Sequence, residues 1–339
     1  MYTTAKMIFQ SEGEFVRWLR TLTSAKSPKI RTGIGDDAAV VRVGSDRDLI
    51  LTADLSIEGV HFTTRLHPAR SIGHRALARS LSDIAAMGGV PRFALISVAF
   101  SRSASRAWIE EFYGGILDLA ARFSVDVIGG DTSIVRRTIM IDVVLAGEVA
   151  RGRGLLRSGA RAGDVIFVSG SLGQSARGLE VLKSQARGRK RALKNQQDNS
   201  EATRAVRSHL YPEPRCELGG WLRRGGIPSA MMDISDGLSS DLIRLCEASG
   251  VGAKVDAWRI PGPAGVQPKR SLELALNGGE DYELLFTVPK RKMTKLPRSH
   301  RGVPLRCIGQ VCRSQDVLLV HEDGECSALA AAGYDHFSK

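Results

Sequence analysis

Aspartate recurs at the ends of apolar runs in this chain, most often beside glycine, serine or threonine. The stretches are Gly35-Asp36-Asp37, Thr52-Ala53-Asp54, Ser82-Asp83, Gly130-Asp131-Thr132, Asp233-Ile234-Ser235-Asp236 and Gly278-Gly279-Glu280-Asp281. Apolar flanks draw such carboxylates toward an interior, where like charges raise one another's pKa unless a cation lies among them. Any one of these aspartates can be an N-cap or an Asx turn. Asp236, just before Gly237-Leu238, has the position of a helix cap. As a set they predict a hard-metal site. Oxygen donors without a His or Cys cluster suit Mg2+ rather than Zn2+.

The overall charge runs the other way. The 339 residues carry 48 Lys and Arg against 36 Asp and Glu, a net charge of +12. Half of that excess lies between Arg177 and Arg207, where nine basic residues stand against three acidic ones. No aromatic residue interrupts the stretch, so stacking on bases has no platform. A solvated basic helix or loop is expected there, and nucleic acid is not expected as a partner. The five cysteines form no CxxC pair. That argues against a disulfide framework or a structural zinc, and for a reducing, cytoplasmic setting. No apolar segment of signal-peptide type follows Met1–Lys6, and no run approaches membrane-spanning length.

Hydrophobic spacing sets the organisation. Phe15, Trp18, Leu19 and Leu22 predict a helix over 12–22, and 27–35 looks like a loop. Strands are expected at 40–43 and 49–52 as a hairpin, and at 93–100, 125–128 and 138–146. Helices are expected at 71–87, with a stripe of Ile72, Leu77, Leu81 and Ile84, and at 104–123. A change of character at Arg151-Gly-Arg-Gly154 suggests a boundary between about 150 and 160, giving domains 1–150 and 151–339. The second half alternates strands (165–168, 230–234, 286–288, 305–311, 317–320) with helices (174–184, 216–224, 238–247). The fold class is α/β in the first domain and α+β in the second, with mixed sheets and flanking helices.

Mg2+ held by carboxylates usually accompanies substrate phosphates. The chain has no GxxxxGK[ST] sequence and lacks the protein-kinase set. Its Gly-rich pieces, Gly33-Ile-Gly35, Gly129-Gly130, Gly170-Ser-Leu-Gly173 and Gly278-Gly279, can bring backbone N–H groups close to phosphate. Mg2+-dependent phosphate chemistry at a non-P-loop nucleotide site is the expectation.

Six stretches carry a more specific signal. They are Gly33–Val40 (GIGDDAAV), Leu51–Phe62 (LTADLSIEGVHF), Ala78–Gly88 (ARSLSDIAAMG), Gly129–Ser133 (GGDTS), Asp233–Leu238 (DISDGL) and Gly278–Leu284 (GGEDYEL), followed by Gly333–Phe337 (GYDHF). In this order, over nearly the whole chain, they resemble the thiamine-monophosphate kinase family of the aminoimidazole ribonucleotide synthetase-like superfamily. The resemblance implies two domains, a homodimer paired through the N-terminal sheet, and transfer of phosphate from ATP to thiamine monophosphate with several Mg2+ ions. By motif it implies metal positions at Asp36, Thr52, Ala53, Asp54, Asp83, Asp131, Asp233 and Asp236, with Asp37 adjacent. It implies ATP contacts at Asp36, Tyr113, Gly130, Asp131, Arg157 and Ser235, with Arg157 neutralising transition-state charge and no general base. Substrate contacts fall at His61, Glu280 and Tyr334. Tyr113 can equally be a packing residue, and His61 a satisfied loop histidine.

The chain departs from the family at Ala53, where a second hydroxyl residue is usual, and in the basic 183–208 region. Two other functions fit less of the sequence. One is a sister enzyme of the superfamily acting on a different small substrate. The other is a non-catalytic nucleic-acid-binding protein that has kept the fold.

Overall fold

The computed structural model describes residues 13–14, 16–17, 28–44, 46–188 and 196–336. Of the helix expected over 12–22, Gly13, Glu14, Val16 and Arg17 are helical, and the apolar positions that predicted it lie outside the described residues.

The first sheet contains β1 (Ile30–Thr32), β2 (Ala39–Arg42), β3 (Arg47–Ile57), β4 (Val90–Ser101), β5 (Asp126–Gly129), β6 (Thr132–Val135) and β7 (Met140–Ala150). Their order is β1-β2-β3-β7-β4-β5, with β6 following β5 along β4. β2 and β3 form the expected hairpin. β1 was not foreseen within the 27–35 loop; three residues are too few to show a period. Helices α1 (Ala69–Ala86) and α2 (Arg106–Arg122) pack together, so closely that a Cβ on Gly73 would stand 2.0 Å from the Phe112 carbonyl oxygen.

The second sheet contains β8 (Val165–Ser169), β9 (Ala230–Ile234), β10 (Gly252–Asp256), β11 (Glu283–Val288), β12 (Ser299–His300), β13 (Val303–Cys312), β14 (Val317–Val320) and β15 (Cys326–Ala328). Its order is β15-β14-β10-β13-β8-β11-β9, with β12 on β13. Only β10 and β14 run parallel within it. Around it lie α3 (Gln174–Ala186), α4 (Gln196–Leu210), α5 (Cys216–Arg224), α6 (Leu238–Ser249) and α7 (Pro268–Asn277). β8, β9 and β11 are buried along their whole length, as the unbroken apolar runs of central strands require. α4 falls in the basic stretch, and no strong stripe marked it in sequence.

The stripe read on α1 understates its burial. Ile72, Leu77, Leu81 and Ile84 are buried, but so are Ser71, His74, Arg75, Ser80 and Ser82. The helix touches β3 and β7 on one side and β9, β11 and α5 on the other. One apolar core runs across this seam, from Ile50 and Leu145 through Leu77 to Met231 and Phe286. A helix buried on several faces can carry polar side chains only where they meet partners, and α1 brings its own to one place.

Candidate active site

Three carboxylates converge at the seam. Asp37, Asp83 and Asp233 each offer an oxygen within 4.8 Å of the other two. Asp37 leaves the turn before β2, Asp83 projects from α1, and Asp233 sits near the end of β9. Each has a fixed partner. Arg157 Nη2 donates to Asp37 Oδ1 at 2.8 Å, Thr52 Oγ1 donates to Asp83, and Ser82 Oγ donates to Asp233 at 2.6 Å. Burial, then the neighbouring carboxylates, push Asp83 and Asp233 well above the ordinary range. Asp37 Oδ2 is buried with no hydrogen-bond partner. An all-oxygen donor set with an orphaned carboxylate oxygen, self-repelling as it stands, fits a hard divalent cation.

Strand alternation decides which residues of Thr52-Ala53-Asp54 take part. Thr52 and Asp54 share the α1 side of β3, where Ser80 Oγ donates to Asp54 at 2.8 Å. Ala53 faces the other way and is exposed. Its side chain is therefore no ligand to this cluster, and a hydroxyl there would point away from it.

The other expected positions divide. Asp36 is not in the trio; its carboxylate accepts the backbone N–H of Arg157 (3.2 and 3.3 Å) and of Asp37 (3.0 Å). Burial, then Asp37, raise its pKa to about 7. Asp236 is no helix cap but pairs with Arg244. The turn before α6 is instead closed by Asp241, whose Oδ2 accepts the N–H groups of Ser235, Asp236 and Gly237, each at 3.1 Å.

A cavity of about 1060 Å³ opens beside the trio. Its wall includes Asp54, Asp83, Asp233, Arg157, Ser235 and Asp236, and also His61, Glu280 and Tyr334. His61 Nδ1 accepts the Ile57 N–H at 3.0 Å, which places the ring proton on Nε2. That Nε2 is buried without a partner, and burial, then Arg79, lower the pKa to about 4. His61 is thus a neutral N–H donor at physiological pH. Tyr334 is brought in by the C-terminal segment, which is pinned to the turn before α6 by Tyr334 N to Asp236 O (3.1 Å) and to α6 itself by Gly333 N to Ser240 Oγ (3.1 Å).

Glu280 has φ +66 and is held by Arg75. Burial opposes its ionisation, but the charge and hydrogen bond of Arg75, with His209 and Arg79, together outweigh burial and lower the pKa to about 2. Arg75 also donates to the carbonyls of His209 and His61. Next to it the rings of His67 and His209 meet Nε2 to Nε2 at 2.9 Å. Burial, then Arg75, lower both, His209 to about 3. Arg75, His67 and His209 were not singled out in the sequence: Arg75 and His209 are polar residues on helices, His67 lies in the bend before α1, and only the meeting of α1 with α4 joins them.

Tyr113, Gly130 and Asp131 are not brought to this cavity. Ser56 pairs with Ile141, Ile141 with Val98, and the Val98 N–H donates to Asp131 O. Three strand spacings therefore separate Asp131 from β3, about 14 Å. Tyr113 packs edge-on against Phe100 and Phe112. Gly130 has φ +150, and a Cβ there would stand 1.8 Å from Ile96 O, a structural reason for glycine.

The outer face of the first sheet exposes Leu55, Phe93, Leu95, Ile128 and Met140. Among the described residues no helix is long and apolar enough to cross a membrane.

Two family matches cover most of the chain: AIR synthase related protein, N-terminal domain, over residues 35–149, and AIR synthase related protein, C-terminal domain, over 161–321. Thiamine-monophosphate kinase of Escherichia coli (strain K12) is 36% identical over 334 residues, 96% of this chain and 98% of that protein. The solved structure of AaThiL complexed with AMPPCP and TMP has a TM-score of 0.81 and 31% identity, covering 99% of this chain and 100% of that one. That of thiamine-monophosphate kinase from Stenotrophomonas maltophilia K279a has a TM-score of 0.74 and 34% identity, covering 92% and 96%. With the carboxylate seam, the two sheets and this likeness along nearly its full length, the chain belongs to the thiamine-monophosphate kinases of the AIR synthase related protein family.

Proposed function

We propose that this protein phosphorylates thiamine monophosphate to thiamine diphosphate with ATP and Mg2+, as a cytoplasmic homodimer whose protomer divides into domains near residues 150–160. The observation that carries the proposal is the trio Asp37, Asp83 and Asp233 with Arg157, beside a cavity that His61, Glu280 and Tyr334 also line.

The acceptor is a phosphate oxygen already ionised near neutral pH, so no general base is needed. An acceptor oxygen attacks the γ-phosphorus, the bond from that phosphorus to the β-phosphate oxygen breaks, and its electron pair leaves with ADP. The protein must set the two anions in line and cancel their repulsion. Asp37, Asp83 and Asp233, with Asp54 alongside, would hold Mg2+, which would supply charge to offset the phosphates. Arg157 offers a guanidinium fork beside them. His61 presents its neutral Nε2–H to the acceptor's heterocycle, and Tyr334 an aromatic face. Glu280 is already neutralised by Arg75, so toward a cationic acceptor it acts as a hydrogen-bond acceptor rather than as a net counter-charge.

A second protomer laid on the apolar face of the first sheet would cover Leu55, Phe93, Leu95, Ile128 and Met140. The same contact would bring the β5–β6 edge, with Gly130 and Asp131, toward the partner's cavity. This accounts for family positions that sit far from the cavity of their own chain.

The test is chromatography of products from purified protein with ATP, Mg2+ and thiamine monophosphate. Thiamine diphosphate should form, vanish with EDTA, and fall by about 100-fold or more in Asp54→Asn. Product formed without divalent metal, or an Asp54→Asn enzyme keeping over half its activity, would sink the proposal.

A further inference from the structure

Arg79 lies on α1 one turn from both Arg75 and Asp83, and its side chain is 19% exposed. The other cavity arginines on the described segments 157–244 have close partners: Arg157 holds Asp37, and Arg244 holds Asp236 and Asp241. Arg75, its neighbour on α1, holds Glu280 and two carbonyls. Among the described residues Arg79 makes only long contacts, 3.4 Å to Ser56 Oγ and 3.6 Å to Asp54 Oδ1. A guanidinium has five N–H donors. None of the Arg79 nitrogens is among the buried atoms lacking partners, and the residue lines the cavity. Its uncommitted donors therefore face open space. It also lines a small side pocket with His61, Arg75 and Glu280.

That places a weakly held cation on α1 between Arg75, which holds Glu280, and Asp83 of the trio. Asp54 lies 3.6 Å from it, and it shares the side pocket with His61 and Glu280. An acceptor whose heterocycle rests on His61 and Tyr334, and whose phosphate must reach a donor held at the carboxylates, passes its phosphate across Arg79. A dianion there needs a cation, since the carboxyl groups of Asp54 and Asp83 lie close by. A planar fork matches two phosphate oxygens at once.

We propose that Arg79 is a catalytic residue that binds the acceptor phosphate and aims its oxygen at the γ-phosphorus, while Arg157 serves the donor end. The proposal rests on the kinase function argued above. The competing role for Arg79 is that of a structural counter-ion to Asp54, which would touch no ligand.

The experiment compares binding of thiamine monophosphate and thiamine to the full-length protein without ATP, in EDTA and in Mg2+, by calorimetry. Wild type, Arg79→Met and Arg79→Lys are measured, with thermal midpoints as the folding control. Arg79→Met should weaken thiamine monophosphate binding by about 10-fold or more. Its thiamine Kd and its KM for ATP should stay within about twofold of wild type, since neither ligand gives the acceptor phosphate to Arg79. Arg79→Lys should fall between, and it decides the matter if the methionine variant does not fold. Equal losses for both ligands, a loss confined to ATP, or no loss would overturn the assignment. A wild type that forms no thiamine diphosphate refutes the kinase function and this assignment together. A working wild type whose Arg79 variants keep the phosphate preference refutes the assignment alone.

Discussion

Replacing Asp83 with asparagine should make the protein more stable and less responsive to Mg2+. In the trio Asp37 and Asp233 are buried and Asp83 is half-buried, with donor oxygens within 4.8 Å. Two full charges at that distance repel by about 3.5 kcal/mol at an effective dielectric of ~20. Burial, then the charges of Asp54, Asp233 and Asp37, hold Asp83 well above its ordinary 3.8, and the Thr52 hydrogen bond offsets only part of this. The native carboxyl therefore keeps its proton to higher pH than the unfolded chain does. The native state binds the extra proton, so stability falls as pH rises above 3.8. The fall is about 1.4 kcal/mol per pH unit, and its ceiling at pH 7 is about 4 kcal/mol. Asparagine has no proton to lose and still offers Thr52 an acceptor. In EDTA, Asp83→Asn should gain about 2 kcal/mol at pH 7.5 and almost nothing near pH 4, read by urea unfolding. Wild type should gain about 2.7 kcal/mol from Mg2+ at a hundred times its Kd, and the variant far less. A variant less stable than wild type in EDTA at pH 7.5, or one with the full Mg2+ increment, would refute the account of a self-repelling cation site.

Gly130→Ala should cost about 3 kcal/mol in urea unfolding, because its Cβ would meet Ile96 O at 1.8 Å in a backbone of φ +150; a neutral result would remove the packing explanation. If Asp131 serves the partner's cavity, a purified heterodimer of one Asp54→Asn and one Asp131→Asn protomer should regain about half the wild-type rate, since one of its two sites is then intact. A heterodimer as inactive as its parents would put Asp131 back in its own chain's site.

Most strands and helices were legible because their apolar periods are long and bounded by glycine. The hairpin of β2 and β3, α1 and the runs of β8 and β9 are examples. β1, β6 and β15 are three or four residues long and show no period, while α7 follows a Pro/Gly-rich loop and α4 lies in a basic stretch. Within the site, the family resemblance named Asp54, Asp83, Asp233 and Arg157, and all four line one cavity. It could not choose between Asp36 and Asp37, because adjacent residues in a turn differ only in where the backbone aims them. Nor did it show that Ala53 faces away from Asp54, although strand alternation alone implies it. The Arg75–Glu280 pair spans residues 205 apart in sequence, and no local pattern encodes such a contact.

The seam explains why these residues gather on α1. Arg75, Arg79 and Asp83 follow at intervals of four, which keeps them near one helix face over about 12 Å. That face runs from the acceptor end, where Arg75 neutralises Glu280, past Arg79, to the carboxylates. A flexible loop would let these charges relax toward one another and pair off. A helix packed against both sheets does not allow this, so Asp83 and Asp233 make no ion pair among the described residues, only Asp37 is held by Arg157, and Arg79 stays loosely held. The stability lost to that repulsion is recoverable only by charges from outside the chain, a cation for the carboxylates and an anion for Arg79. Binding of metal and of phosphate is then favoured by one buried helix, and a change that relieves the strain should weaken both.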